Sequence, residues 1–281
     1  MSGVSLGEQF RQFKHRRRLS RAKQELASRA VEPRPHGLDT PLVVTLTSFP
    51  PRFAQLHLTL GCLLKQTVQP DRVVLWIAED DLGDLPPAVR ALKAQGLDIR
   101  GCPDRRSYKK ILFSLDAFPD ATLVTADDDV YYGADWLAEL VAARQETGAR
   151  VICTRGHRVA LDDAGLPKPY EAWEMNASKR GQSGLVFPTG VMGVLYAPGC
   201  FDEAVHDWDL ASRLCPDADD IWLYWMHRLA GEAALNLAGR RRILEWERDA
   251  PGSLLALNAG GGNDRQIAAM TAHFGFPGPE T

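Results

Sequence analysis

Residues 123–131 read LVTADDDVY, an apolar and β-branched run that leads into three consecutive aspartates. Apolar runs of about four to eight residues with this composition are typical of a buried strand. We therefore predict a strand over residues 121–126, with the acidic triplet Asp127-Asp128-Asp129 at its carboxyl end. Three neighbouring carboxylates repel one another and raise each other's pKa. Placing them between apolar segments is costly unless a cation offsets their charge.

Strands and helices alternate on both sides of this triplet. The pattern predicts an α/β domain with a mostly parallel central sheet covered by flanking helices. Ligands of such sheets bind beyond the carboxyl ends of the strands, which is where the triplet lies. The predicted strands are 42–46, 72–78, 97–100, 121–126 and 151–154, and the predicted helices between them are 53–65, 87–95, 109–117 and 136–147.

Composition limits the classes of protein that this chain can represent. With 281 residues, 45% of them hydrophobic, it can form one large domain or two small ones. A net charge of −3 argues against a general nucleic-acid binder. Five scattered cysteines without a CxxC pair favour a reducing compartment. No apolar run is long enough to span a membrane. We expect a cytoplasmic protein that can reach the inner face of the membrane.

The N-terminal residues carry most of the positive charge. Residues 1–34 hold nine Lys or Arg and three Glu, a net charge of +6, which leaves −9 for the remainder. A helix is predicted over residues 8–30 and a linker over 32–37. Residues 1–37 are thus interpreted as a basic helical arm. This helix is either a solvated element or a contact for an anionic membrane surface or an acidic partner.

Residues 38–281 are interpreted as a single domain. Its first half, residues 38–155, is expected to bind a nucleotide, and residues 156–281 are expected to form an acceptor half and a closing tail. Glycines of the segment 190–193 are candidates for close backbone approach to a sugar. In the tail, Asn263 and Asp264 follow a glycine-rich stretch that can close over a ligand.

The spacing within the triplet suits a metal site. On an extended backbone, Asp127 and Asp129 point to one side and Asp128 to the other. Hard carboxylate oxygens select Mg²⁺ or Mn²⁺, which can bridge two phosphates and stabilise a leaving diphosphate. Asp264 and His273 are weaker candidates for a further ligand. The alternative is an acidic turn that caps the segment after the strand.

A second acidic pair, Asp219-Asp220, precedes a helix predicted over residues 221–230. Sugar transfer with inversion needs a base that takes the proton of the acceptor hydroxyl, and either carboxylate can serve. The helix dipole lowers the basicity of a carboxylate in this place. The alternative is an N-cap, for which Asp is a favoured residue. A retaining enzyme would need no such base.

Several segments together resemble bacterial polysaccharide glycosyltransferases of the GT-A fold that carry a DxD motif. The resemblance covers about residues 41–275, and the triplet with its strand is its most specific part. The matching segments are Thr45-x-Thr47-Ser48-Phe49-Pro50-x-Arg52, Gln66, Pro70-Asp71 before Val74-Leu75-Trp76, residues 123–131, and Asp219-Asp220-Ile221-Trp222.

This resemblance implies a nucleotide-diphospho-sugar transferase-like fold and a metal-dependent, inverting enzyme of hexosyltransferase type. The donor would be a nucleotide-diphosphate sugar, the cofactor Mn²⁺ or Mg²⁺, and the acceptor a glycan or other hydroxyl compound in surface polysaccharide synthesis. The residues are assigned as follows: Thr47, Ser48 and Arg52 around the base and ribose, Lys109 or Lys110 at the donor phosphate or sugar, Asp127 and Asp128 at the donor, Asp129 with Asp127 at the metal, and Asp220 ahead of Asp219 as the base.

Two other classes stay open at this stage. Phosphohydrolases of the aspartyl-phosphate type also place Asp-x-Asp after an apolar strand, but that strand usually opens the fold, whereas three strands precede it here. A non-catalytic subunit that binds nucleotide sugars is the second alternative. A nucleotidyltransferase is disfavoured because no glycine-rich phosphate loop followed by Lys lies near the first strand.

Overall fold

An eight-stranded mixed sheet forms the centre of the computed structural model, which describes residues 6–238, 243–246 and 261–278. The α/β class predicted from the sequence is confirmed. The strands are β1 (Arg34–Pro35), β2 (Leu42–Thr47), β3 (Val68–Gln69), β4 (Arg72–Ala78), β5 (Leu97–Cys102), β6 (Thr122–Thr125), β7 (Val151–Cys153), β8 (Gly156–Arg158), β9 (Gly181–Ser183), β10 (Val186–Pro188), β11 (Val194–Tyr196) and β12 (Ala234–Asn236).

Helices cover the sheet, and most of them begin and end within two residues of the predicted bounds. The two clearest differences are the end of the helix predicted over residues 87–95, which ends at Arg90 because residues 91–95 form a 3₁₀ turn, and the start of the last helix at Gly262 instead of Arg265. The helix predicted to begin at Ile221 begins two residues earlier, at Asp219. The helices are α1 (Leu6–Ser28), α2 (Phe53–Leu64), α3 (Pro87–Arg90), α4 (Lys109–Ala117), α5 (Trp136–Thr147), α6 (Trp208–Leu214), α7 (Asp219–Leu229) and α8 (Gly262–Phe274).

The strand order of the central sheet is β5-β4-β2-β6-β11-β7-β12-β9. The first four of these strands pair in parallel, and β12 pairs in parallel with β7. β11 is antiparallel to both of its neighbours, and the edge strand β9 is antiparallel to β12. The sheet is therefore mostly parallel, as predicted. The two reversed strands come from the second half of the chain, where the sequence is irregular.

The chain changes direction across the sheet between β2 and β6. From β2 it moves outward to β4 and β5, and it then returns to place β6 on the other side of β2. A crevice beyond the carboxyl ends of two such strands is where open α/β sheets bind ligands. Ser48 follows β2 directly, and Asp127 follows β6 after a single alanine. The fold thus brings the two segments with candidate site residues to one point.

Two hydrophobic clusters lie on opposite faces of the sheet because strand side chains alternate in direction. Leu42, Val44 and Leu46 of β2 pack with α2 and α5, whereas Val43 packs with the other cluster. That second cluster contains most of α7, from Ile221 to Met226. The sheet is covered on both faces, which agrees with the near-continuous apolar runs of its parallel strands.

Helix α1 is joined to the domain by its second half. Ala22 and Leu26 are buried in the cluster that contains α2. Just after the helix, the Arg29 guanidinium donates to the carbonyls of Cys62, Lys65 and Tyr132 at 2.9–3.3 Å. The residues before Ala22 are half-buried or exposed wherever their side chains are described. The division of the chain at residue 37 stays a prediction.

None of the helices among the described residues combines the length and the apolar character needed to cross a bilayer. Part of the glycine-rich tail, residues 258–260, lies outside the described residues.

Gly193 provides a direct test of how the sheet meets the acidic triplet. It has φ +89°, and a Cβ there would lie 2.5 Å from Trp136 Cζ2 and 2.8 Å from the Thr125 carbonyl oxygen. We expect Gly193→Ala to lower the free energy of unfolding by about 2–4 kcal/mol, measured by urea denaturation. Gly133→Ala is the matched control because no heavy atom lies within 4 Å of its added Cβ. Equal stability of the two variants would contradict this packing.

Candidate functional site

Four segments converge beyond the carboxyl ends of β2 and β6. They are the residues after β2, the acidic triplet after β6, the first turn of α4 and the first turn of α7. Each segment follows a strand or opens a helix, so rigid elements position its side chains. The side chains that meet there are Ser48, Arg52, Lys110, Asp127, Asp128, Asp129, Asp219 and Asp220.

The three carboxylates of the triplet differ in their exposure. The side chains of Asp127 and Asp129 are 21% and 24% exposed, whereas that of Asp128 is 6% exposed. Asp127 and Asp129 are thus the more accessible members of the triplet, and their placement on one side stays a prediction. The strand itself ends at Thr125, so the triplet lies in a bend and is not part of the ladder.

Asp128 anchors the bend to the segment after β2. Its carboxylate accepts a hydrogen bond from Ser48 Oγ at 2.5 Å and one from Arg52 Nη1 at 2.6 Å. The same Arg52 nitrogen lies 2.9 Å from Asp129 Oδ2. Burial lowers the pKa of Arg52, but the neighbouring carboxylates, Asp128 first, raise it above its ordinary value. Ser48, Arg52 and Asp128 thus bind one another, and their contact with a donor stays a prediction.

Thr47 has a different local role from the one predicted. Its hydroxyl donates to the carbonyl oxygen of Trp76 on the neighbouring strand β4 at 2.8 Å. This bond holds the ends of β2 and β4 together. The predicted contact of Thr47 with a nucleotide is not tested by these contacts.

Lys110 connects the triplet to the second acidic pair. Its Nζ lies 3.1 Å from Asp219 Oδ2 and 4.0 Å from Asp127 Oδ1. Burial lowers its pKa, but Asp219 and Asp127 more than offset this effect, so the pKa lies above the ordinary value and the side chain stays charged. The adjacent Lys109 pairs with Asp104 at 2.7 Å instead. Of the two lysines considered from the sequence, Lys110 is the one that contacts the aspartates of the site.

The second acidic pair does not cap its helix. α7 begins at Asp219, and its N-cap residue is Ala218, whose side chain makes no capping bond, so both aspartates lie in the first turn. The interpretation of these aspartates as N-caps is therefore wrong. Asp219 is buried and is bound by Lys110, while Asp220 Oδ1 accepts from the Ile221 amide at 3.0 Å.

The site carries more negative than positive charge. Burial raises the pKa of Asp129 to about 7, with a further contribution from Asp128. Burial, followed by repulsion from Asp219, raises the pKa of Asp220 to about 7 as well. The pKa of Asp127 is also raised, chiefly by burial and against the charge of Lys110. The raised pKa values arise first from burial and then from repulsion between carboxylates that the cationic side chains do not fully offset.

Arg155 and Tyr170 escaped the sequence analysis, and Met192 was considered only as part of the segment 190–193. Arg155 and Tyr170 lie near Asp220, and burial lowers the pKa of Arg155. Arg155 follows β7, so the rule that ligands bind beyond strand ends could have indicated it. The Met192 amide donates to Asp127 Oδ2 at 3.2 Å, and Met192 has φ +71°. No sequence signal identifies a backbone donor of this kind.

The described segment 243–246 pairs with the chain at the triplet. The Trp246 amide donates to the Asp129 carbonyl at 2.9 Å, and the Tyr131 amide donates to the Leu244 carbonyl at 2.9 Å. Between them, the Glu245 carboxylate adds to the negative charge around Asp129. This carboxylate was not predicted because it lies more than one hundred residues away in the sequence.

The two candidates for a further metal ligand are placed elsewhere. Asp264 Oδ1 accepts a hydrogen bond from the Tyr170 amide at 2.7 Å, and the His273 ring lies against Phe274. Within the described part of the chain, no three His, Cys, Asp or Glu side chains form a group that could hold a metal ion by themselves. The assignment of Asp127 and Asp129 as metal ligands stays a prediction.

Such a pair still fits a divalent cation of the Mg²⁺ type. These ions are commonly held by one or two carboxylates, with waters and substrate phosphates completing the shell. Asp127 and Asp129 are the partly open members of the triplet, and the pKa values of both are raised by burial in a negatively charged site. A cation would remove that charge imbalance. The donor set and its electrostatics are thus compatible with a bound metal.

Known proteins resemble this chain only distantly. No protein-family model matches it, and no curated protein sequence matches it significantly. Among solved structures, TarS residues 1–349 of S. aureus has a TM-score of 0.47 and 13% identity over 72% of this chain. The chain spans 59% of the length of that TarS structure.

Two further similar structures contain ligands. A mannosyltransferase from Pyrobaculum calidifontis, solved with GDP-Man and Mn²⁺, has a TM-score of 0.43 and 14% identity, covering 92% of this chain and 82% of that one. Glucosyl-3-phosphoglycerate synthase from Mycobacterium tuberculosis, solved with Mn²⁺, UDP and glucosyl-3-phosphoglycerate, has a TM-score of 0.44 and 15% identity, covering 99% and 86%. Similarities of this size do not argue for a function, which must be inferred from the side chains.

The raised pKa of Asp220 has a consequence for stability. Its pKa in the folded protein is about 7 against an ordinary value of 3.8, so the folded state binds more protons between these values. Stability therefore falls as the pH rises through this window. We expect Asp220→Asn to raise the free energy of unfolding by about 1 kcal/mol at about pH 8 in the presence of EDTA, and to have a smaller effect at about pH 4.

Asp209→Asn is the matched control for this measurement. Asp209 is also an acidic residue in the first turn of a helix, but it is exposed. The same substitution there removes only a favourable interaction with the helix dipole, so we expect a neutral or slightly destabilising effect. Urea denaturation at the two pH values provides the comparison. A loss of stability in Asp220→Asn at the higher pH would contradict the electrostatic account.

Proposed function

We propose that the protein is a metal-dependent glycosyltransferase that moves a sugar from a nucleotide-diphosphate sugar to a hydroxyl group of an acceptor, with inversion. The observation that supports this proposal is the pairing of two carboxylate groups across one buried lysine. Lys110 Nζ lies 4.0 Å from Asp127 of the triplet and 3.1 Å from Asp219 of the second acidic pair, and so connects the two groups. A transferase needs one group for the donor diphosphate and one for the acceptor hydroxyl.

The donor half of the site is formed by the triplet. When bound to Asp127 and Asp129, a divalent cation would neutralise charge on the leaving diphosphate. Arg52 keeps Asp129 in place through its shared contact with Asp128. Met192 fixes one oxygen of Asp127 through its amide, which leaves the second oxygen directed towards Lys110. The protein thus orients both carboxylates before a donor arrives.

The acceptor half requires a base, and Asp220 fits this role better than Asp219. The Lys110 ammonium lies 3.1 Å from Asp219, so that carboxylate is engaged in an ion pair. Asp220 has a pKa of about 7, which suits proton transfer at neutral pH. In the proposed reaction the acceptor oxygen bonds to the anomeric carbon, the bond from that carbon to the diphosphate oxygen breaks, and the acceptor proton moves to Asp220.

The phosphohydrolase alternative is less well supported by the geometry. That class uses its second acidic pair at the end of a strand, whereas Asp219 and Asp220 open α7. In addition, three strands of the central sheet, β2, β4 and β5, come before β6 in the chain, whereas the nucleophile strand of a phosphohydrolase usually comes first. The hexosyl donor, the glycan acceptor and a role in surface polysaccharide synthesis rest on the sequence resemblance and are proposed on that basis.

A thermal-shift screen tests the function directly. The protein is heated with a panel of nucleotide sugars and free nucleotides, each with Mn²⁺ and with EDTA. We expect one nucleotide sugar to raise the Tm in the presence of Mn²⁺ only, because ligands that bind the folded state stabilise it. Hydrolysis of a phosphomonoester without any response to nucleotide sugars would favour the phosphohydrolase. Binding of a donor without turnover over an acceptor panel would favour a non-catalytic subunit.

Asp129→Ala tests the donor half. We expect calorimetry with Mn²⁺ and UDP to show a loss of affinity of at least about tenfold, because one of two carboxylate ligands is removed. The circular dichroism spectrum should be unchanged. Asp80→Ala is the control, since Asp80 is an exposed acid outside the site. Equal affinity in Asp129→Ala and the parent protein would remove the metal assignment.

Asp220→Asn tests the acceptor half. We expect UDP and Mn²⁺ to bind as in the parent, while kcat falls by about 100-fold or more, the usual contribution of a general base. In the parent, kcat/KM should rise with pH up to about 7 and then level off, because Asp220 must be deprotonated to accept a proton. At saturating Mn²⁺, which would keep Asp129 ionised, this rise should be absent in the variant. Normal turnover in Asp220→Asn would indicate Asp219 or a retaining mechanism.

A further inference from the structure

The N-terminal helix α1 has a surface that the proposed reaction does not use. From Phe10 to Lys23 the sequence contains seven Lys or Arg and no Asp or Glu. Phe10 and Phe13 are 57% and 55% exposed, and they are the most exposed large apolar side chains in the described part of the chain. A helix that presents both features in water has a surface suited to a partner.

Helix geometry places these features on one side. Successive residues of an α-helix are about 100° apart, so Phe10, Phe13, Lys14, Arg17 and Arg21 lie within a sector of about 100°. This set of five residues is called the outer face below. Its members are exposed, whereas the buried Ala22 and Leu26 point in a direction about 150° away. The outer face therefore points away from the domain to which the helix is attached.

A basic side chain lies next to each of the two aromatic rings on the outer face. The Lys14 Nζ lies 4.2 Å from the centre of the Phe10 ring, and the Arg17 guanidinium lies 5.9 Å from the centre of the Phe13 ring. Two rings form too small an apolar face to anchor a helix by themselves, so binding to a bilayer would combine their insertion with attraction of the basic side chains to anionic lipids. There the ring enters the acyl boundary and the cation remains with the lipid phosphates.

We propose that the outer face of α1 docks the protein on an anionic lipid bilayer. Charge complementarity selects anionic lipids, since residues 1–34 carry +6 while the remainder of the chain carries −9. The acidic remainder is repelled from such a surface, so the helix meets it first. A nucleic acid or an acidic polypeptide would pair with the cations, but it would bury less of the two neighbouring apolar rings on this convex surface than a bilayer would.

The attachment of α1 gives this docking a defined orientation. Leu26 packs against Gly61 of α2, and Arg29 binds three carbonyl oxygens of the domain. The helix is therefore fixed to the domain at its carboxyl end and cannot turn its outer face inwards without breaking these contacts. Binding through the outer face would hold the catalytic domain beside the membrane. This inference does not depend on the identity of the donor or the reaction.

The test is flotation of the full-length protein with vesicles of phosphatidylcholine alone and of phosphatidylcholine mixed with about one-third phosphatidylglycerol. We expect binding to the anionic vesicles only, and weaker binding as the salt concentration rises. The triple variant Lys14→Glu, Arg17→Glu, Arg21→Glu should weaken binding by about 100-fold or more. Phe10→Ser with Phe13→Ser should weaken it by about tenfold or more while leaving the charge unchanged.

A charge-matched control separates the outer face from the net charge of the protein. Lys93, Lys168 and Arg213 are exposed cations on other parts of the surface. Replacing all three with Glu changes the net charge equally and should alter vesicle binding by less than about threefold. All variants should keep the parent Tm, because every substituted side chain is exposed.

Three results would overturn the proposal. One is failure of the parent protein to bind anionic vesicles, and another is equal loss of binding in the control and the outer-face charge variant. The third is full binding by the Phe10→Ser, Phe13→Ser variant, which would leave only a non-specific charge effect. Binding to RNA or to an acidic polypeptide, without binding to anionic vesicles, would identify a different partner for the same face.

Discussion

An excess of negative charge at the carboxyl ends of β2 and β6 is the feature on which the site depends. The triplet, Asp219, Asp220 and Glu245 are opposed by Arg52, Lys110 and Arg155. Burial strengthens every interaction among these groups, because screening by water is reduced. Protonation of some of the carboxylates, or a bound cation, must relieve the repulsion. The fold therefore concentrates unfavourable repulsion between carboxylates at the place where an α/β sheet binds its ligand.

The reversed strand β11 explains how the backbone completes this site. Because β11 runs antiparallel to β6, its first residues lie where β6 ends, with Val194 opposite Thr125. The turn that leads into β11 therefore passes beside Asp127 and presents the Met192 amide to it. Positive φ angles at Met192 and Gly193 hold this turn in shape. A parallel strand in the same position would begin at the opposite end of the strands, far from Asp127, and could not supply this donor.

The sequence predicted the first half of the fold well and the second half poorly, for a physical reason. Strands β2, β4 and β6 are buried on both faces and appear as continuous apolar runs between helices. Strands such as β9 and β12 have three residues each, too few to give a periodic pattern. The triplet and Asp219-Asp220 were visible because each is a local cluster of acids. Glu245 joins the site only through tertiary contacts and no local pattern marks it, whereas Arg155 follows a strand and Met192 lies in the glycine-containing segment 190–193.

Lys110 determines how the two acidic groups divide their roles. A lysine placed midway between Asp127 and Asp219 would neutralise both in part and leave the two sides alike. Its Nζ lies 3.1 Å from Asp219 and 4.0 Å from Asp127, so the stronger ion pair forms on the side of α7. The negative charge of Asp127 is then less well neutralised by Lys110. This suits the proposed role of Asp127, which is to bind a metal ion together with Asp129. At the start of α7, Asp219 is paired with Lys110, and its neighbour Asp220 has a pKa of about 7. A single buried lysine can thus produce one group with affinity for a metal and one group with affinity for a proton, within reach of the same bound substrate.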